Sequence, residues 1–182
     1  MAEIDKERGV QSRKWAVVTL HPWLPSRAEQ VARARAWGVD ESTIEGEPVG
    51  TLITDDVRNV RRTTNWAAYL RERTFFLKKW KAYNPVGDTV FFATPLCVGF
   101  TEKMAQETIE ALWAAGMKVY VHSNCAMYVQ GDDISELLRM IGTDANAAHV
   151  RASRRRKAGI PLPEDIDDPI PRGRRKKPKP PL

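Results

Sequence analysis

The side chains best suited to acid–base or nucleophilic chemistry are few and scattered along the sequence. The chain has three histidines and two cysteines, Cys97 and Cys125, and no Cys-x-x-Cys pair. A zinc site needs three or four such ligands at close spacing, so no zinc pattern can be assembled. His21 has an imidazole that titrates near neutral pH, but it precedes a proline and the sequence offers it no carboxylate partner. These residues predict two buried, reduced thiols, a loop histidine and no metal.

Basic side chains, in contrast, are concentrated towards the C-terminus. Lysine and arginine total 29 against 23 acidic residues, a net charge of +6 over 182 residues. Two basic runs, 151–157 (RASRRRK) and 172–179 (RGRRKKPK), flank the acidic stretch 164–168 (EDIDD). Such side chains neutralise phosphates and release counterions, which predicts DNA as the partner. The predicted DNA-binding residues are Arg151, Arg154, Arg155, Arg156, Lys157, Arg172, Arg174, Arg175, Lys176 and Lys177. The alternative is a solvated helix end followed by a solubilising tail.

The apolar pattern predicts an α/β domain in front of these runs. Apolar, β-branched segments predict strands at 15–20, 89–94 and 117–122, and one or two short strands within 39–57. Helices are predicted at 27–37, with an inward face of Ala28, Val31, Ala32 and Ala36, and at 65–83, 101–115 and 132–158. Loops are predicted at 95–100 and 123–131. This alternation predicts a mostly parallel sheet of four to five strands with helices on both faces and a long C-terminal helix.

The composition predicts one domain with polar ends. Hydrophobic residues make up 42% and charged residues 29% of the chain, as in proteins with a packed core. We expect a flexible N-terminus at 1–13, the α/β domain at 14–158 and a proline-rich, basic, disordered tail at 159–182. The start of the chain is polar, and no apolar run approaches the ~20 residues of a membrane span. The sequence therefore predicts a cytoplasmic protein with no membrane partner and no small-molecule substrate.

Two stretches resemble the N-terminal domain of the serine recombinases, the resolvase and invertase family. Residues 87–123 (GDTVFFATPLCVGFTEKMAQETIEALWAAGMKVYVHS) follow that family's order of a Gly-Asp turn, a strand, a short loop, a helix and a strand. Residues 29–44 (EQVARARAWGVDESTI) look like its first helix, with an early glutamine and a final glycine. The predicted helix 132–158 looks like the family's dimerisation helix, which runs on into the DNA groove. The resemblance covers about residues 15–158 and implies a resolvase-like fold, a homodimer and DNA as a partner.

The same resemblance implies where the family's catalytic residues fall. In that family a serine attacks the DNA phosphodiester while arginines cradle the phosphate. The segment VVTLH stands where the family has a motif like YxRVS, which puts His21 at the nucleophile and Thr19 at the arginine. The segment PLCVGF stands where the family has LDRLGR, and only Gly99 is kept. The degenerate catalytic positions are Thr19, His21, Arg73 (allowing one inserted residue), Leu96, Cys97 and Phe100. We therefore expect no cofactor and no DNA cleavage.

Two other classes of function stay open. The 23 residues after Gly159 are too few and too proline-rich for a helix-turn-helix domain, so we expect DNA binding without sequence specificity. One alternative is a protein-interaction or structural module with no nucleic-acid role, whose tail docks on an acidic protein. The other is an enzyme of another class, although the sequence lacks a GxGxxG motif, a Walker loop and a Cys–His pair. Trp66 and Trp113 fit helical core faces, while Trp23 lies in a predicted exposed loop and is a candidate for base stacking.

Overall fold

The structure, a computed structural model, describes residues 12–39, 43–44, 47–48, 50–56 and 85–160. Its elements are β1 (Lys14–Leu20), α1 (Arg27–Trp37), β2 (Thr43–Ile44), β3 (Glu47–Pro48), β4 (Gly50–Asp56), β5 (Thr89–Phe92), α2 (Pro95–Val98), α3 (Glu102–Ala114), β6 (Lys118–Val121), β7 (Ala126–Tyr128) and α4 (Ser135–Lys157). The predicted helix at 65–83, residues 1–11 of the predicted flexible start at 1–13 and residues 161–182 of the predicted tail at 159–182 lie outside the described residues. Among the described helices, none combines the length and apolar character that crossing a bilayer requires.

The described strands form a five-stranded sheet in the order β4-β1-β5-β6-β7, with β2 and β3 as a separate antiparallel pair. Strands β4, β1, β5 and β6 are parallel, and β7 is antiparallel at the edge. When the five strands of this sheet are renumbered 1 to 5 in chain order, their spatial order is 2-1-3-4-5, which is also the order of flavodoxin-like sheets. The order changes direction at β1, whose two neighbours both follow it in the chain. In open sheets of this kind the crevice for a ligand lies outside the carboxyl ends of the strands at that switch point.

Helices lie on both faces of the sheet. On one face Trp37 of α1 stacks on Tyr120, with 4.7 Å between ring centroids, and lies 5.6 Å from Phe91. Side chains alternate between faces along a strand, and Phe91 pairs with Ala16, so Thr19 points to the opposite face. There its hydroxyl donates to the carbonyl of Cys97 in α2, and α3 and α4 pack against α2. The predicted α/β class, mostly parallel sheet and C-terminal helix are confirmed.

The buried face of α1 differs from the prediction. Ser26 caps the helix as expected, and Gly38 ends it in the left-handed conformation at φ 99°. The side chains that it buries are Gln30, Val31 and Ala34, whereas Ala28, Ala32 and Ala36 are exposed. Turning the three alanines inward would bury little apolar area. The amide of Gln30, in contrast, has hydrogen-bond partners only in its buried position, and we attribute the rotation of the helix to these bonds.

The two predicted loops each contain a regular element. Residues 95–98 form α2, because Pro95 has the fixed φ that suits the first position of a helix. Residues 126–128 form β7, and a 3₁₀ turn over His122–Asn124 reverses the chain in front of it. Cys125, predicted to be buried, is exposed in the left-handed conformation at the end of that turn. The region 39–57, predicted to hold one or two strands, contains β2, β3 and β4.

Candidate functional site

The carboxyl ends of β1 and β5 bring together most of the positions that the resemblance singled out. Thr19 lies near the end of β1, His21 follows it, and α2 and the loop to α3 carry Leu96, Cys97 and Phe100. These segments lie at the switch point of the sheet, where parallel α/β proteins place their ligand sites. Arg73, the remaining position, lies outside the described residues.

Gln30 joins the first strand to the first helix beneath this edge. Its Oε1 accepts from the backbone N–H of Thr19 at 3.0 Å, and its Nε2 donates to the carbonyls of Thr19 at 2.8 Å and Pro25 at 2.7 Å. The side chain is 1% exposed. Every polar atom of this buried amide therefore has a partner, and the path of the chain from β1 into α1 is fixed.

Cys97, in the short helix α2 that follows β5, belongs to the same hydrogen-bond network. Its thiol donates to Oε1 of Gln30 at 3.7 Å and lies 3.3 Å from the hydroxyl of Thr94. Cys97 is fully buried, as predicted, and Leu96 is 6% exposed. Gly99 follows, and a Cβ atom there would lie 2.6 Å from the backbone nitrogen of Ala105. The first turn of α3 therefore packs directly on this loop, which a larger residue would push away.

Four aromatic rings lie together at the same edge of the sheet. His21 lies 4.5 Å from Phe100 and 5.0 Å from Trp23, measured between ring centroids. Trp23 also lies 6.1 Å from Phe100 and 6.3 Å from His149, which comes from α4. We call His21, Trp23, Phe100 and His149 the ring cluster. Two of its members, His21 and Phe100, are among the positions that the resemblance assigned to lost catalytic residues.

The imidazole of His21 is neutral in this setting. Burial lowers the pKa of His21 from 6.5 to about 4. Its Nδ1 accepts from the backbone N–H of Trp23 at 3.2 Å, which places the remaining ring proton on Nε2. Because the lone pair of Nδ1 is already engaged, that nitrogen is not free to take a proton from a substrate. His21 therefore acts as an acceptor that shapes its own loop.

The basic end of α4 projects beside this cluster. Buried residues recur along the helix at Leu137, Ile141, Ala145, Ala148 and Ala152, and the arginines and lysine that follow Ala152 are exposed. The contact of His149 with Trp23 fixes this part of α4 next to the carboxyl edge of the sheet. Arg151, Arg154, Arg155, Arg156 and Lys157 make no ion pair with the described residues. Arg172, Arg174, Arg175, Lys176 and Lys177 lie outside them.

Two residues of this site were missed as site residues. Gln30 was noted only as part of the family resemblance, although a glutamine inside an otherwise apolar helix face is a usable signal. His149 lies on the exposed side of a long helix, so the sequence carries no sign of its contact with Trp23. In the part of the chain that the structure describes, no group of three or more histidine, cysteine or acidic side chains is arranged to hold a metal ion.

Comparison with known proteins gives no relative from which to transfer a function. No family model matches the chain, and no curated protein sequence matches it.

Proposed function

We propose that the chain is a serine-recombinase-like protein that associates with DNA and does not cut it, with a regulatory or structural role and as a homodimer. The observation that carries the proposal is the end of α4, where Arg154, Arg155, Arg156 and Lys157 continue the helix beyond its last buried residue. A rigid, exposed cationic helix end can lie along a phosphate backbone and bind without reading bases. The basic stretch 172–179 adds charge from the same end of the chain.

The side chains in and around the ring cluster are the reason to expect no cleavage of DNA. Strand cleavage of the family's kind needs a hydroxyl nucleophile and cations that stabilise the charge growing on the phosphate. At the corresponding described positions the chain has a neutral histidine, two buried apolar side chains, a phenylalanine ring and Thr19, whose buried hydroxyl donates to the carbonyl of Cys97. Arg73 lies outside the described residues. Among the described residues the ring cluster offers no cation, so a phosphate seated there would have its charge buried among aromatic rings, which is costly without a paired cation.

Salt-dependent binding tests the DNA association. Fluorescence anisotropy with a labelled random-sequence duplex should show binding that weakens steeply as salt rises. The double variant R154Q/R155Q should weaken binding and make the slope of log K against log salt shallower by about 2, since each phosphate contact contributes roughly 0.9. The matched control is K103Q/K118Q, which removes the same charge from exposed lysines on α3 and β6.

The outcomes separate this proposal from its rival. Loss of binding in both double variants to the same degree would show that net charge, and no particular surface, attracts DNA. No binding of the wild type even at low salt would overturn the proposal and favour a protein-interaction or structural module.

The second part of the proposal has its own assay. The protein is incubated with supercoiled DNA and the products are separated on denaturing gels. We expect no nicked product and no covalent protein–DNA adduct. An adduct at any residue of the chain would contradict the proposal that the site has lost its chemistry.

A further inference from the structure

Trp23 combines three features of a residue that binds a planar ligand. It is partly exposed, it lies at the switch point of the sheet, and its indole N–H has no hydrogen-bond partner among the described residues. The rings of His21, Phe100 and His149 meet it at interplanar angles of 82°, 90° and 89°. No described ring therefore lies parallel on the indole, while its orientation is held by three perpendicular neighbours.

Positive charge is placed within reach of this indole. His149 contacts Trp23, and Arg156 follows His149 by two helical turns on the same side of α4, roughly 10 Å along the axis. Two helices also begin at this edge, α1 after Ser26 and α3 after Thr101, with the partial positive charge of their amino ends towards it. Each first turn holds one acidic residue, Glu29 in α1 and Glu102 in α3, and Glu29 is paired with Arg33.

We infer that Trp23 stacks on an unpaired base and that the nucleic-acid partner of this chain is single-stranded DNA. The inference rests on the proposed function, whose cationic helix end would hold the phosphates on either side of that base. An aromatic platform beside a basic track is how proteins hold single strands without reading sequence. In an intact duplex both faces of a base are covered by its neighbours, so a fixed indole has nothing to stack on. The same arrangement would thus favour single strands over duplex.

The experiment compares three labelled probes of equal length by anisotropy at one salt concentration. They are a single strand, its duplex, and an abasic strand that has the same phosphates and no bases. The wild type should bind the single strand roughly 5- to 150-fold more tightly than the abasic strand, as expected for one stacked base. The variant W23A should lose this preference and keep its affinity for the duplex, and W23F should keep part of the preference. The control W113A removes a tryptophan of α3 that packs against the core and donates to the carbonyl of Tyr128, so it should cost stability and leave the preference for the single strand over the abasic strand unchanged.

Each result decides between the two proposals. Equal binding of the single strand and the abasic strand by the wild type overturns the stacking inference, while duplex binding keeps the proposed function intact. A preference that survives in W23A also overturns it. If no probe binds at low salt, the proposed function fails as well. Should W23A not fold, which circular dichroism would reveal, the wild-type comparison of the two strands and the W23F variant decide the matter.

Discussion

The two ends of β1 hold buried polar networks of opposite character. At the amino end, the carboxylate of Asp88 accepts from the backbone N–H of Arg13 at 2.8 Å, from its guanidinium at 2.9 Å and from the indole of Trp15 at 2.7 Å. At the carboxyl end, the amide of Gln30 makes its bonds with neutral backbone groups. Asp88 and Gln30 are each 1% exposed. The same strand therefore begins at a buried charge and ends at a buried dipole.

A buried charge therefore does not by itself mark a functional site. The ion pair lies at the edge of the sheet opposite the switch point, where it joins the start of β1 to the start of β5. At the carboxyl edge the four members of the ring cluster include neither a carboxylate nor a guanidinium, and the network at Gln30 and Cys97 is uncharged; β4 ends at the same edge in Asp55 and Asp56. Among the side chains that the structure describes, the buried ion pair joins two strands of the fold, while aromatic rings and a neutral amide lie at the carboxyl edge.

The largest expected effect comes from breaking the charged network. D88A removes the acceptor of three donors, one of which is a partly buried guanidinium. We expect the free energy of unfolding to fall by about 3–5 kcal/mol, measured by urea denaturation. D88N keeps the shape of the side chain and should lose less. A loss below 1 kcal/mol for D88A would mean that water replaces the carboxylate and that the two ends of β1 do not differ as described.

The neutral network should be nearly as sensitive. Q30L keeps the volume of the side chain and leaves the N–H and carbonyl of Thr19 and the carbonyl of Pro25 without that partner. Burying such groups unpaired predicts a loss of roughly 2–4 kcal/mol in the free energy of unfolding. The matched control is Q106L in α3, where the glutamine is exposed and bonded only to Glu110. The control should stay within about 0.5 kcal/mol of the wild type, and equal losses in both variants would contradict the role assigned to Gln30.

The ring cluster should make stability depend on pH. The pKa of His21 is lowered to about 4 in the folded chain, against about 6.5 when unfolded. The unfolded chain therefore binds more protons between these values, so the stability from neutral His21 is complete above pH 6.5 and is lost as the pH falls to 4. The variant H21F should lose about 2–3 kcal/mol less than the wild type between pH 7 and pH 4. Parallel pH profiles for the two proteins would contradict the burial of His21.

The smallest effect concerns the start of α1 at the same edge. The hydroxyl of Ser26 accepts from the N–H of Glu29 at 3.2 Å, and that of Thr101 accepts from the N–H of Met104 at the same distance. Each substitution, S26A and T101A, should lower the free energy of unfolding by about 1 kcal/mol. Because the two caps belong to the two loops of the switch point, similar values would show that both loops are equally anchored. A near-zero value for S26A alone would mean that Gln30 already holds that loop.

The regular elements were predictable where local signals were strong. The caps at Ser26 and Thr101 and the stop at Gly38 gave α1 and α3 to within a residue or two, because capping is decided by nearby atoms. The strand β7 has three residues and lies directly after a turn, which leaves too little alternation to detect. The rotation of α1 was missed because it depends on the partners of Gln30 across the sheet, which no pattern within the helix contains.

The candidate site was predictable in position and less so in content. The family resemblance indicated Thr19, His21, Cys97 and Phe100, and the topology brings them to one edge. It gave no indication of the ring cluster, since Trp23 and His149 are far apart in the sequence and meet only through the packing of α4. Gly142 in the middle of α4 lies where a Cβ would come within 2.8 Å of the carboxylate of Glu102. Glycine normally weakens the interior of a helix, but a larger residue at this position would have to displace the side chain of Glu102.

The reversed direction of β7 has a consequence for the polarity of the whole molecule. A strand parallel to the others would release the chain at the carboxyl edge, and the final helix would have to travel away from it. Because β7 runs the other way, the chain is back at the amino edge when α4 starts, and the helix crosses the domain towards the switch point. The antiparallel direction of these three residues therefore places the basic end of α4 and the ring cluster at the same edge of the sheet.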